Sequence, residues 1–220
     1  MERRGWDSDF FGVRIAAADL RDEALAAAVA EARADGAECL YLFTPADRVD
    51  LIGDGVDAGA RLVAVREHLR LDFPVSLEHD EDVKRADAAD RPLVEKLAER
   101  LTPYSRFAAD PRFPRENVTE LYRLWARRCL DEGAVHLDPS AEGFVATRPR
   151  GDELSVDLVY VADGAGGRGV GARLLRAALA GSSASAAVVT ASTGNVRALR
   201  LYQSVGFRTA AVEAVLHLWL

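Results

Sequence analysis

The stretch Val161-Ala162-Asp163-Gly164-Ala165-Gly166-Gly167-Arg168-Gly169-Val170-Gly171-Ala172 decides how the rest of the chain is read, because it joins an extended run to an amphipathic one through a glycine-rich turn. Upstream, residues 154–161 supply Val156, Leu158, Val159, Tyr160 and Val161, the β-branched and aromatic types that suit a buried strand. Downstream, Val170, Leu174 and Ala178 recur every four residues with Leu175 and Leu179 beside them, which predicts a helix that Gly181 stops. A strand therefore feeds a helix N-terminus. Glycines at 166, 167, 169 and 171 remove the β-carbons that would hold a ligand away. The first-turn N–H groups of the helix have no intrahelical acceptor, so the turn suits an anion such as a phosphate. A flexible surface loop is the plain alternative.

Two familiar phosphate loops do not fit. The Walker pattern closes on Lys-Ser or Lys-Thr, whereas Gly171 is followed by Ala172 and Arg173. A dinucleotide fingerprint needs its turn near the start of a βαβ unit and an acidic residue about 20 positions on; this turn lies late in the chain, and residues 192–197 offer no carboxylate. Beyond it, residues 186–191 read as a short strand. Asn195 is a good N-cap for a helix that runs to Ser204, and Gly206 ends it. In the last strand Val212, Ala214, Leu216 and Leu218 alternate with Glu213, Val215, His217 and Trp219.

These segments resemble the two hallmarks of the Gcn5-related N-acetyltransferase (GNAT) superfamily. Gly169-Val170-Gly171 fills the last three places of a Q/R-x-x-G-x-G/A pattern at the expected distance from Val161, and Asn195-x-x-Ala198-x-x-Leu201-Tyr202-x-x-x-Gly206-Phe207 is similar to the second hallmark. Gly166 stands where Gln or Arg is usual and Asp163 where many relatives have Pro. Backbone N–H groups do most of the phosphate binding, so these departures leave that role intact. The resemblance implies an α/β fold of the mixed, α+β type, with a central, mostly antiparallel sheet flanked by helices. It implies acetyl-CoA (coenzyme A) as donor, held by Gly166, Gly167, Arg168, Gly169, Val170, Gly171 and Ala172, by backbone N–H groups near Val159 and Val161, and by Asn195 and Leu201. Tyr202 then stands at the general-acid position. A phenol with a reference pKa of about 10 stays protonated and can donate to a thiolate whose reference value is about 8.5. Packing of its ring on the core is the competing role.

At 220 residues and 49% hydrophobic content the chain can bury a real core, and its formal net charge of −7 with a pI near 5.2 argues against nucleic acid as a partner. No run of 18 apolar residues is present, and Met1-Glu2-Arg3-Arg4 leads into charged residues, so a cytoplasmic protein without a membrane segment is expected. Cys39 and Cys129 are isolated from each other and from His68, His79, His136 and His217, which predicts no metal site. A first α/β unit reads as a strand over 12–18, a helix over 22–34 closed by Gly36, a strand over 38–44, a short segment over 46–52 and extended runs over 61–66 and 68–73. Residues 74–82, with Pro74 and several carboxylates, read as a linker. From Val83 come a strand, a helix opened by Asp90-Arg91-Pro92, a loop over 102–115, a helix over 116–130 and strands near 134–137, 142–147 and 154–161.

Asp9-Phe10-Phe11-Gly12-Val13, Tyr104-Ser105-Arg106-Phe107 with Leu121-Tyr122-x-x-Trp125, and Gly143-Phe144-Val145 narrow the resemblance to the TDP-fucosamine N-acetyltransferase family, which also shares the form Gly167-Arg168-Gly169-x-Gly171-Ala172. It implies a truncated GNAT-like N-terminal domain over 1–75 and an acetyltransferase domain over 83–220. The implied acceptor is a small sugar nucleotide, a TDP-linked 4-amino-4,6-dideoxyhexose acetylated on its amine. A diphosphate calls for guanidinium groups, and Arg106, Arg112 and Arg115 alternate in one loop with Tyr104, Phe107 and Phe113, whose rings suit the base or sugar. Glu67 and His68 are the candidates to take the amine proton, directly or through water. Phe10 and Phe11 read as packing at the domain junction. The apolar end Leu218-Trp219-Leu220 could complete an intersubunit sheet in a homodimer. Another amine as acceptor, such as an antibiotic or a protein N-terminus, and a non-catalytic acyl-CoA sensor are the competing functions.

Overall fold

Runs of alternating or continuous apolar residues pair into one ten-stranded sheet in the computed structural model, which describes residues 1–73, 82–180 and 182–220. The first part of the chain supplies β1 (Glu2–Arg3), α1 (Gly5–Phe11), β2 (Ile15–Asp19), α2 (Leu25–Ala34), β3 (Cys39–Pro45), α3 (Val49–Asp57) and β4 (Arg61–Asp72). After it come β5 (Lys84–Arg85), α4 (Arg91–Ala98), a 3-10 turn over Glu99–Tyr104, α5 (Arg115–Glu132), β6 (Ala134–Leu137), β7 (Gly143–Arg150) and β8 (Glu153–Val161). The chain finishes with α6 (Val170–Leu179), β9 (Ala186–Ser192), α7 (Val196–Val205) and β10 (Arg208–Trp219). The strands lie in the order β1-β2-β3-β10-β4-β9-β8-β7-β6-β5. The β2–β3 and β8–β9 pairs are parallel and the other neighbouring pairs antiparallel, so the fold is the mixed, mostly antiparallel sheet with flanking helices that the resemblance implied.

Period-two alternation sorts the core. On β7, Phe144 and Ala146 join a cluster with Val118, Leu121 and Ala126 of α5, whereas Val145 joins Leu174 and Leu175 of α6 on the opposite face. A third cluster buries Ala28 and Ala32 of α2 against Leu40, Leu42 and Leu216.

The expected strand over 12–18 starts later, at Ile15, because Asp9-Phe10-Phe11 belongs to α1. Gly12, at φ +66°, closes that helix in the left-handed region. Phe11 packs on Phe107 and Phe113 with ring centroids 5.1 and 4.4 Å apart, the packing role expected of it. The short segment after Ala46 is the helix α3, and the two extended runs are one twelve-residue strand, β4. Most of the linker read at 74–82, and the helix stop read at Gly181, lie outside the described residues.

β10 pairs with β3 from Glu213 to Trp219 and with β4 from Arg208 to His217, so residues 213–217 are paired on both edges within the chain while Leu218 and Trp219 pair on one edge, with β3. Both of its faces are buried over residues 214–218. Val215 and His217 face the cluster under α5 while Ala214, Leu216 and Leu218 face α2, since this strand has layers on both faces.

Candidate active site

The parallel pairing of β8 with β9 runs only from Glu153–Ala186 to Val156–Val189, whereas β8 itself continues to Val161. Residues 157–161 therefore keep β7 as a partner on one edge, and among the described residues no strand pairs with the other. Backbone groups on that open edge are available to a ligand. The glycine-rich turn follows at once. Gly167 and Gly169 have φ of +76° and +78°, a conformation that a side chain strains, and where their β-carbons would stand there is open space within 4 Å. Gly171 is required for another reason: a β-carbon there would lie 2.8 Å from Cδ2 of Leu201, so the glycine lets α6 approach α7.

These features border a groove of about 810 Å³. Val159, Val161, Gly166, Gly167, Gly169, Val170, Gly171, Ala172, Asn195 and Leu201 line one side, and Leu101, Thr102, Pro103 and Tyr104 of the 3-10 turn, with Arg115, line the other. The groove thus gathers the residues expected to hold the donor, except Arg168, whose guanidinium pairs with Glu142 away from it. Asn195 caps α7 by accepting from the Ala198 N–H at 3.2 Å. Arg197 was not anticipated. It bonds Asp163 Oδ1 at 2.7 Å and the Ala162 carbonyl at 3.2 Å, tying the loop to the start of α7, and only the Asp163–Arg197 charge complement hints at it in sequence.

Tyr202 packs in the core behind this groove, its ring 5.8 Å from that of Phe207 and in one cluster with Leu69 and Val189. Burial pushes its hydroxyl well above the ordinary phenol range, so the proton stays on at neutral pH. Its neighbours Leu201 and Ser204 line the groove.

A second hollow, of about 390 Å³, opens beside α5 and shares Tyr104 with the groove. Five guanidinium side chains line it, those of Arg66, Arg106, Arg128, Arg148 and Arg150, together with Trp6, Asp7, Trp125 and Thr190. The Arg106 guanidinium lies over the Tyr41 and Phe107 rings at 4.2 and 4.4 Å, and its Nη2 donates to Asp7 Oδ2 at 3.3 Å. Burial raises the pKa of the Asp7 carboxyl against the pull of Arg106 and Arg4. Asp157, at the start of the open edge of β8, pairs with Arg148 and accepts from Ser155 Oγ at 2.5 Å and Trp125 Nε1 at 3.3 Å. A chain of negative net charge thus carries a locally cationic hollow.

Of the expected acceptor residues, the hollow brings together Tyr104, Arg106 and Phe107. Arg115 lines the donor groove instead, and Arg112 lies over the Trp219 ring at 5.1 Å, lining neither. Phe113 is in the core. The cause is Asp110, whose buried carboxylate turns the loop back onto β10. Glu67 and His68 are adjacent in β4 and so point to opposite faces. His68 Nδ1 lies 3.1 Å from Thr190 Oγ1, and Nε2 lies 2.7 Å from Glu213 Oε1; Thr190 lines the arginine hollow. Glu67 accepts from Thr209 at 2.8 Å and lines neither hollow.

Residues 125–209 match the family model described as an acetyltransferase (GNAT) domain. The match covers less than half of the chain. The matched span runs from α5 to the start of β10 and contains the open edge of β8, the glycine-rich turn and Tyr202. Acetyl-CoA is the acyl donor of GNAT acetyltransferases. The chain is 30% identical over 123 residues to the spore coat polysaccharide biosynthesis protein SpsD of Bacillus subtilis (strain 168), a match covering 52% of this chain and 43% of SpsD. The chain thus spans less than half the length of the curated relative it matches. A GNAT-family structure from Novosphingobium aromaticivorans shares the fold with a TM-score of 0.54 at 20% identity, covering 84% of this chain and 82% of that one. A GCN5-related N-acetyltransferase from Sphaerobacter thermophilus does so with a TM-score of 0.55 at 14% identity, covering 82% and 59%.

Among the described residues, no group of His, Cys, Asp and Glu could hold a metal ion, and no helix is long and apolar enough to cross a membrane. Burial pushes the Cys39 and Cys129 thiols up to about 12, so neither is a thiolate nucleophile at neutral pH. The open space over Gly167 and Gly169 fits a pyrophosphate approaching the first-turn N–H groups of α6. Gly171→Val is therefore expected to weaken acetyl-CoA binding by about tenfold or more, because overpacking of this size costs about 1–3 kcal/mol and moves α6 off Leu201. Calorimetric titration measures it; an unchanged affinity refutes it.

Proposed function

We propose that the chain is an acetyl-CoA-dependent N-acetyltransferase whose acceptor is a TDP-linked amino-dideoxy sugar, a 4-amino-4,6-dideoxyhexose. The observation that carries this reading is the meeting, at Tyr104, of a glycine-rich groove suited to one pyrophosphate and an arginine-lined hollow suited to a second. Trp6 and Tyr104, both well exposed at that hollow, offer ring faces to a base or sugar. The name of SpsD, which points to polysaccharide biosynthesis, also favours a sugar.

Acetyl-CoA supplies an activated acyl group as a thioester. The N–H groups of Val170, Gly171 and Ala172 hold its pyrophosphate, and the open edge of β8 near Val159 and Val161 offers N–H groups to the thioester carbonyl and pantetheine arm. The amine attacks that carbonyl directly, through a tetrahedral intermediate. Its proton passes to the Thr190 hydroxyl, which gives its own to His68 Nδ1, and Glu213 orients the imidazole from the other side. Tyr202 protonates the departing thiolate. Glu67, on the opposite face of the sheet, has no part in this route.

Incubation with acetyl-CoA and a TDP-4-amino-4,6-dideoxyhexose should release free CoA and the acetamido sugar. Failure to turn over any 4-amino epimer or 3-amino isomer sinks the acceptor assignment. His68→Gln is expected to lower kcat about a hundredfold at pH 7, the scale of a positioned base, with the deficit shrinking as pH rises and the amine deprotonates unaided. A pH-independent deficit would show that His68 does not take the proton.

A further inference from the structure

The loop between the 3-10 turn and α5 sends a carboxylate into the core. Asp110, 2% exposed, lies 2.9 Å through Oδ2 from Nδ1 of His217 and accepts at the same oxygen from Trp219 Nε1 at 3.0 Å. Nε2 of His217, 1% exposed, lies 3.2 Å from Nη1 of Arg106. A guanidinium offers only donors, so Nε2 must accept, and the imidazole carries its proton on Nδ1 and donates it to Asp110. Burial, with Arg106 nearby, holds the imidazole pKa down at about 4, so the ring is neutral at working pH.

From this chain of contacts we infer that Asp110 and His217 are positioning residues for Arg106, fixing its guanidinium in the wall of the hollow that takes the acceptor's diphosphate. The inference rests on the sugar-nucleotide reading of that hollow. Neither residue lines the hollow, so each acts only through Arg106. The Tyr41 and Phe107 rings fix the plane of the guanidinium, while His217 and Asp7 hold its two ends and so fix its rotation within that plane. The same oxygen of Asp110 anchors Trp219, which locks the loop to β10. The pieces come from α1, β3, the loop before α5 and the last strand, so this wall of the hollow is complete only once the end of the chain is seated in the sheet.

The test is Asp110→Asn, which keeps size: with its oxygen accepting the Arg112 N–H, as Oδ1 does at 3.1 Å, its amide N–H stands where Oδ2 meets Nδ1, at the cost of the bond from Trp219. The imidazole then moves its proton to Nε2 and turns a donor toward the donors of Arg106, the kind of tautomer error that disables a histidine without moving it. In ¹⁵N-labelled wild type, NMR should find the proton on Nδ1, and in the variant on Nε2. The dissociation constant for thymidine diphosphate and the KM for the TDP-amino sugar should rise at least tenfold, while kcat at saturating acceptor and KM for acetyl-CoA stay within threefold. His217→Gln, whose amide has one acceptor and one donor, should bind thymidine diphosphate within threefold of wild type, and His217→Leu should not. A wild-type proton on Nε2, or a shifted tautomer with unchanged thymidine diphosphate binding, overturns the positioning role. Wild type that binds no thymidine diphosphate overturns the sugar-nucleotide reading itself, and the proposal with it, irrespective of the tautomer.

Discussion

Replacing Tyr202 with Phe is expected to lower turnover by about a hundredfold or more while leaving acetyl-CoA affinity within threefold of wild type. The substitution removes one hydroxyl from a ring that is 5% exposed and keeps its edge contact with Phe207, so packing of α7 on the sheet survives. What is lost is the proton donor. Burial raises the pKa of this phenol, which makes it a weaker acid but guarantees that the proton is present throughout the working range. A thiolate leaving into the same apolar surroundings is also more basic than in water, which offsets part of the mismatch between the two groups. Steady-state CoA release with parallel calorimetry separates the two readouts. A fall of less than fivefold in turnover, with binding intact, would return Tyr202 to a purely structural role and favour an acyl-CoA sensor.

Arg106→Ala should destabilise the fold by about 3–5 kcal/mol, the usual cost of removing one partner from a buried charge pair. The change strands the Asp7 carboxylate, leaves Nε2 of His217 without its donor and takes the cation from between the Tyr41 and Phe107 rings. For a chain of this length that corresponds to a drop in Tm on the order of 10 °C. The deficit has a pH signature. Burial already raises the Asp7 pKa above its unfolded value of 3.8, and loss of Arg106 raises it further, so the penalty is full at neutral pH. It fades as pH falls through the raised folded value and Asp7 becomes neutral. Urea denaturation at pH 7 and pH 5 measures both effects; a loss below about 1 kcal/mol at pH 7 would mean the hollow tolerates an unpaired Asp7.

The donor side was legible because its signals are local. Glycines forced by a positive φ, an Asn that caps the helix it begins and a Gly that ends it act on neighbours a few residues away, so Gly169, Asn195 and Gly206 declare their conformations in the linear order of the chain. The acceptor side was legible only in part. Arg106 could be singled out from the loop that carries it, yet its contact with His217 spans 111 positions, and no spacing rule connects them. Arg112 and Arg115 share that loop and its charge with Arg106. A buried Asp110 turns one onto Trp219, and the start of α5 delivers the other to the donor groove.

By its sequence alone this chain determined a strand, a glycine-rich turn and the two helices that follow, since these depend on backbone preference and the 3.6-residue and 2-residue periods. Tertiary structure alone decided that β10 sits between β3 and β4, that His68 rather than Glu67 meets Thr190 of the arginine hollow, and that Trp6, Arg66 and Arg148 join Arg106 there. Those outcomes depend on which sheet face and which neighbour a residue meets, and that is set by pairings between segments far apart in the chain.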